Sequence, residues 1–102
     1  MIHVIATIEI QAGRRDEFLK IFRALVPTVR AEPGCLEYGP ATDVPSGIPV
    51  QAPLRADGVV ILEQWQDLAA LKLHLGTKHM LQYREQVKTL VKGVHLQVLQ
   101  PA

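Results

Sequence analysis

Residues 1–10 read Met1-Ile2-His3-Val4-Ile5-Ala6-Thr7-Ile8-Glu9-Ile10, and their alternation decides the fold. Ile2, Val4, Ala6, Ile8 and Ile10 fall on one face, and His3, Ile5, Thr7 and Glu9 on the other. A period of two marks a strand, because successive side chains leave a pleated backbone on opposite sides. The second face is itself part apolar, so both sides of the sheet are expected to be covered, one of them by helices. Gln11-Ala12-Gly13 turns the chain. The period then changes: Phe18, Phe22, Leu25, Val26 and Val29 recur at helical spacing between Arg14 and Ala31. Pro27 falls inside that helix, where it deletes one backbone hydrogen bond, so a kink is expected there and not a stop.

Working onward, Glu32-Pro33-Gly34 ends the helix and Cys35 to Asp43 is expected as a second strand. Val44 to Asp57 holds Pro45, Gly47, Pro49 and Pro53 and reads as a long loop, mobile or acting as a lid. Val59 to Gln66, β-branched at its start, reads as a third strand. Asp67 suits the N-cap of a short helix with Leu68, Leu71 and Leu75 facing inward, closed by Gly76. Thr77 can cap the next helix, whose buried stripe would be Met80, Tyr83, Val87, Leu90 and Val91, with Gly93 as its stop. Val94 to Leu99 alternates again as a last strand. The order β-α-β-β-α-α-β is the α+β, ferredoxin-like split βαβ arrangement, a four-stranded antiparallel sheet with helices on one face. The uncovered face could pack on a second copy, so a face-to-face homodimer is expected.

Composition narrows the function. The 102 residues suffice for one domain, 1–102. Eleven Lys plus Arg stand against ten Asp plus Glu, so there is no basic footprint for nucleic acid. No apolar run nears the roughly 20 residues that span a bilayer, and the first residues lack a basic leader, so a cytoplasmic protein with no membrane partner is expected. Cys35 is the single cysteine, which excludes an internal disulfide and any CxxC chemistry, and it reads as a small buried apolar residue.

Few residues are left to carry chemistry. Ser46, the only serine, lies in the proline-rich loop without a nucleophile elbow, and no glycine-rich phosphate loop occurs, so no nucleotide or other cofactor is expected. Of four histidines, His3 and His95 fall on the first and last strands, where they read as partly exposed sheet positions. His74 and His79 bracket the junction between the two short helices. His74 borders the apolar stripe, and His79 lies in a first helical turn, whose dipole favours a neutral ring able to accept a proton. These two with Glu63 would make a two-His-one-carboxylate set. Their i, i+5 spacing across a glycine break matches no familiar ligand pair, so no metal is expected. Trp65 either fills the core or lines an aromatic-accepting pocket. Tyr38, Tyr83, Phe18 and Phe22 could complete that pocket, and Arg84 could meet an anionic oxygen or solvent.

Gly34-Cys35-Leu36-Glu37-Tyr38, Glu63-Gln64-Trp65-Gln66-Asp67, Ala70-Leu71, His74-Leu75 and Thr77-Lys78-His79-Met80, with Met1 to Ala6, Gly13 and the Phe18/Phe22 helix, resemble the antibiotic biosynthesis monooxygenase domain family over nearly the whole chain. The resemblance implies a dimeric α/β barrel. It also implies oxidation of a small hydroxylated aromatic or quinol by molecular oxygen, without metal or flavin. A pocket base would remove a phenolic proton, and the electron-rich anion would pass an electron to O₂. By the same resemblance Trp65, His74 and His79 would be pocket residues, with Tyr38, Tyr83 and Arg84 beside them; His74 or His79 is then expected as the catalytic base, and Phe22 as a further substrate contact. Haem-degrading relatives carry an asparagine where this chain has Ala6 and a ligating histidine near Arg84, so haem is disfavoured. The Pro40 to Gly58 loop is longer than the family's usual hairpin; it would cover a pocket or reach across a partner subunit. A non-catalytic ligand-binding dimer, or an isomerase or lyase on the same scaffold, stands as the alternative.

Overall fold

The first strand, β1 (Ile2–Ile10), lies at the centre of the sheet, as its two-sided apolar character requires. The computed structural model describes residues 1–102 and sets out, after β1, α1 (Arg15–Arg30), β2 (Cys35–Ala41), β3 (Gly58–Trp65), α2 (Leu68–Leu75), α3 (Lys78–Val87) and β4 (Val91–Leu99). The strands form one antiparallel sheet in the order β2-β3-β1-β4, the expected ferredoxin-like topology. Register runs Ile2↔Trp65 through Glu9↔Gly58 between β1 and β3, and Tyr38 stands opposite Glu63 between β2 and β3. Period-two alternation therefore turns Val4, Ala6 and Ile8, Ile61, Glu63 and Trp65, and Tyr38 toward the helices. They meet Phe18, Leu19, Phe22, Val26 and Val29 of α1 in one core.

Local chemistry explains the helix ends. Asp67 accepts from the Ala70 N–H at 2.9 Å and caps α2, and Thr77 caps α3 through the Met80 N–H. Helix α1 runs through Pro27 to Arg30, whose Nε donates to the Tyr38 carbonyl at 3.0 Å and ties the helix end to β2. Gly34 follows with φ +82°, and a Cβ there would lie 2.7 Å from Ala70 Cβ. A side chain is excluded on both counts.

Several sequence expectations are corrected. In α2 the inward residues are Leu71 and His74, whereas Leu68 and Leu75 are exposed. Hydropathy ranks leucine above histidine for burial, but His74 has a carboxylate partner that removes the cost. Helix α3 ends at Val87, and residues 88–90 turn so that Leu90 accepts from the Gln11 N–H. Strand β4 starts at Val91, and Gly93 pairs with Glu9 inside the ladder; it is no helix stop. The second strand ends at Ala41, short of Asp43. His95 stands opposite Thr7, and His3 opposite Leu99, so those two histidines are four pairs apart along neighbouring strands. No helix is long and apolar enough to cross a membrane.

The loop 42–57 is closed at its base by an ion pair. Arg55 donates through Nη2 and Nε to the two Asp43 oxygens at 2.8 and 2.9 Å, and its backbone N–H joins them at 2.8 Å. Those bonds hold the Asp43 carboxyl down at about 2. Arg15 of α1 donates to the Arg55 carbonyl, which fixes the loop's end to the helix layer.

Candidate active site

A cavity of about 420 Å³ lies between the helix-facing side of the sheet and α1, α2 and α3, within the usual range of roughly 300 to 1,000 Å³ for small-molecule sites. Ala6 and Ile8 form its floor with Ile61, and Phe22, Met80, Tyr83 and Val87 its roof. Val94 and Leu96 of β4 make the remaining side, which is open: they are 57% and 48% exposed. The helices cover β2, β3 and β1 and leave the edge strand bare. None of residues 42–57 lines the cavity, so the loop is not its cover here.

Two polar groups break this apolar lining from within. His74 is 1% exposed, held between Tyr38 at 5.3 Å and Trp65 at 4.6 Å between ring centroids. Its Nδ1 lies 2.9 Å from Glu32 Oε2. An ionised carboxylate only accepts, so Nδ1 carries the proton and Nε2 bears the lone pair. Nε2 has no partner in the chain, no buried side-chain polar atom is left unsatisfied, and His74 lines the cavity; Nε2 therefore opens onto it. Burial pushes the His74 pKa below its ordinary value, against the opposing pull of Glu32. The ring is neutral at pH 7, a proton acceptor turned toward an apolar space.

Glu63 is the second. It is 8% exposed and lines the same cavity; its Oε1 accepts from Trp65 Nε1 at 2.9 Å, and its Oε2 has no partner in the chain. Burial raises its carboxyl to about 7, with the Trp65 N–H pulling it down and the Glu32 charge pushing it up. Burial likewise drives Tyr38 and Tyr83 far above the ordinary phenol range, so both stay protonated and present O–H donors. Arg84 lines the cavity too, with Nη2 donating at 2.6 Å to the Leu75 carbonyl at the end of α2.

Of the residues expected to form a site, His74, Tyr38, Tyr83, Phe22 and Arg84 meet around this cavity. Trp65 and His79 stand outside its lining. Trp65, 0% exposed, lies behind His74 and Glu63 and touches both. His79 sends Nε2 to the same Glu32 Oε2 at 2.7 Å, so one carboxylate oxygen takes a hydrogen bond from each ring. The donor atoms of Glu32, His74 and His79 lie within 4.8 Å of one another, a set that could take a divalent cation. It includes Glu32 where the spacing argument had weighed Glu63, and its two N–H groups already satisfy the carboxylate.

One residue escaped the sequence analysis, and another was weighed there only as a metal ligand. Glu32 appeared only as part of a helix-ending turn, and a 42-residue separation hides its pairing with His74. Glu63 carried a usable signal: on a strand whose inward positions are Val59, Ile61 and Trp65, it is the one charge on the buried face.

The sequence signature of the antibiotic biosynthesis monooxygenase family matches residues 1–86. The chain belongs to that family. It is 40% identical over 103 residues to the probable quinol monooxygenase YgiN of Escherichia coli K12, covering 99% of this chain and 98% of YgiN. It is 32% identical to the putative monooxygenase YcnE of Bacillus subtilis, covering 91% and 88% of the two chains. Among solved structures, PA3566 from Pseudomonas aeruginosa superposes with a TM-score of 0.81 at 31% identity, covering 99% of this chain and 93% of that one. Rv0793 from Mycobacterium tuberculosis gives 0.80 at 27%, covering 99% and 94%. The antibiotic biosynthesis monooxygenase fold thus extends through β4, beyond the matched residues 1–86.

Proposed function

We propose that this protein is a cofactor-independent monooxygenase that oxidises a small hydroxylated aromatic, of the quinol class, with molecular oxygen. The observation that carries the reading is His74: a neutral imidazole oriented by Glu32, with its free nitrogen opening onto an aromatic-lined apolar cavity. A base in that position removes a phenolic proton, and the low-dielectric lining destabilises the resulting anion relative to water and favours its oxidation. Electron transfer to O₂ and recombination then form a ring-bound peroxide. Its collapse gives a quinone and water: a phenol with a ring C–H, plus O₂, balances to quinone plus H₂O. Phe22, Tyr38 and Tyr83 present ring faces and edges to the substrate, and Arg84 and the tyrosine hydroxyls supply donors for its oxygens.

His79 and Trp65 act as positioning residues in this reading. His79 bonds the carboxylate that holds His74, and Trp65 backs the His74 ring. The homodimer, the cytoplasmic location and the quinol-like substrate belong to the same proposal. Support for the name comes from YgiN, a probable quinol monooxygenase by its own description. Support for a second subunit is the apolar surface left bare: Ile5 and Leu62, paired on the sheet face away from the helices, and Val94, Leu96 and Val98 on the helix side of β4.

Oxygen uptake with a panel of chemically reduced naphtho- and benzoquinols, run aerobically and anaerobically and with ¹⁸O₂, tests the reading. Enzyme-dependent uptake with one ¹⁸O atom in the product is expected. Turnover indifferent to oxygen, or thermal stabilisation by quinols with no uptake anywhere in the panel, overturns it in favour of a ligand-binding protein.

A further inference from the structure

We propose that Glu63 is a second catalytic residue of this cavity, the acid that protonates the ring-bound peroxide so that its O–O bond can break. The inference rests on the monooxygenase reading above and adds a residue to it. A single base would have to serve twice, delivering the phenolic proton to the peroxide before it takes the ring C–H proton, whereas a separate acid lets the two transfers run together. Once His74 holds the phenolic proton and oxygen has added to the ring, the terminal peroxide oxygen carries negative charge in an apolar space. Expulsion of an unprotonated oxide is then prohibitive.

Geometry selects Glu63. Its alternation partner on β3, Trp65, touches two different groups: the indole ring packs against His74 with a 35° tilt at 4.6 Å between centroids, and the indole N–H fixes Glu63 Oε1 at 2.9 Å. One rigid ring thereby holds both the base and the carboxyl, and leaves Nε2 of the one and Oε2 of the other without a partner on two side chains that line a single cavity. The titratable and charged groups around Glu63 are Cys35 and Tyr38 from β2, His74 from α2, Tyr83 and Arg84 from α3, Lys88 just after it, and the Glu32 charge beyond His74. No cation pairs with its carboxyl, and burial favours the acid form through neutrality.

The proton balance closes. The Glu63 acid gives its proton to the terminal peroxide oxygen. The ring C–H proton passes to the resulting carboxylate as the C=O bond forms and the O–O bond breaks. The departing hydroxide takes the proton held by His74 and leaves as water, so both side chains return to their starting states and no outside reductant is used.

The test is steady-state oxygen uptake by the full-length wild type and the E63Q variant with the best quinol of the panel, over pH 5 to 9. Glutamine keeps an acceptor for Trp65 Nε1 and the side-chain shape but has no proton to give. A fall in kcat of roughly 10² to 10⁴ is expected. KM should stay within a few-fold, and the wild type's loss of kcat above neutrality should vanish from the variant. E63Q turning over within twofold of wild type, with the same alkaline limb, overturns the role of Glu63 and leaves the monooxygenase reading standing. A wild type inert toward the whole panel overturns both. If E63Q does not fold, side-chain ¹³C NMR of glutamate-labelled wild type decides. One carboxyl titrating near neutrality in step with kcat supports the role, and six carboxyls all ionised at pH 6 end it.

Discussion

The protonation of Glu63 has a consequence for stability that needs no substrate to observe. In the unfolded chain its carboxyl titrates near the ordinary 4.5, whereas in the fold it titrates at about 7. Below pH 4.5 both states hold the proton and the group contributes no pH dependence. Between the two values only the folded state holds it, so stability falls as pH rises. Above about 7 both states have lost it and the fall stops. At 1.36 kcal/mol per pKa unit the group's full contribution is roughly 3 kcal/mol. That is a large share of the ~5 to 15 kcal/mol typical of a domain. His74 works in the opposite sense: its folded pKa is lowered, so it adds stability above the ordinary histidine value and loses it as pH falls. The raw pH profile mixes the two, and the difference between wild type and E63Q isolates Glu63. Urea unfolding at half-unit steps from pH 4 to 9 should show the variant gaining on the wild type by a few kcal/mol between pH 5 and 7.5, then a constant gap. Parallel curves throughout that window would mean that Glu63 ionises normally, and would refute the argument for a neutral carboxyl in the cavity.

Four further outcomes are expected. His74→Gln should lower kcat by roughly 10² to 10⁴, read by oxygen uptake, with the quinol still raising Tm. Trp65→Phe removes the one donor on Glu63 Oε1, so Glu63 should titrate higher still and the fold should lose about 1 to 3 kcal/mol at alkaline pH; denaturation at pH 8.5 measures this. Gly34→Ala meets both a positive φ and the Ala70 Cβ, and should cost about 1 to 3 kcal/mol in the same assay. Arg55→Ala should accelerate amide exchange across 42–57 while leaving oxygen uptake unchanged, because that loop does not line the cavity.

The architecture was legible in the sequence because it rests on short-range periodicity. Period two in β1 and β3, helical spacing of Phe18, Phe22 and Val29, and caps at Asp67 and Thr77 all act within a few residues. Errors fell where a distant partner overrides local preference. Leucine was expected inward at 68 and 75, but Glu32 makes His74 the better-buried neighbour of Leu71. Gly93 resembles a helix stop, yet the β1 ladder claims it. Part of the site was visible by type: two histidines near a helix junction and a ring-rich core. Glu32 was not, since only the tertiary fold joins it to His74 and His79, and Glu63 was weighed only as a metal ligand because its place in the cavity follows from the strand's buried face.

The cavity has two kinds of wall. The side backed by Trp65 carries His74 and Glu63, the groups proposed to handle protons, and is held by ring contact and a hydrogen bond. The side built by Val94 and Leu96 of β4 is plain hydrocarbon. On the proposed function, redesign for bulkier or slimmer compounds would proceed by trimming or enlarging those two aliphatic residues while His74 and Glu63 stay in place, so that selectivity and reactivity would be separately tunable.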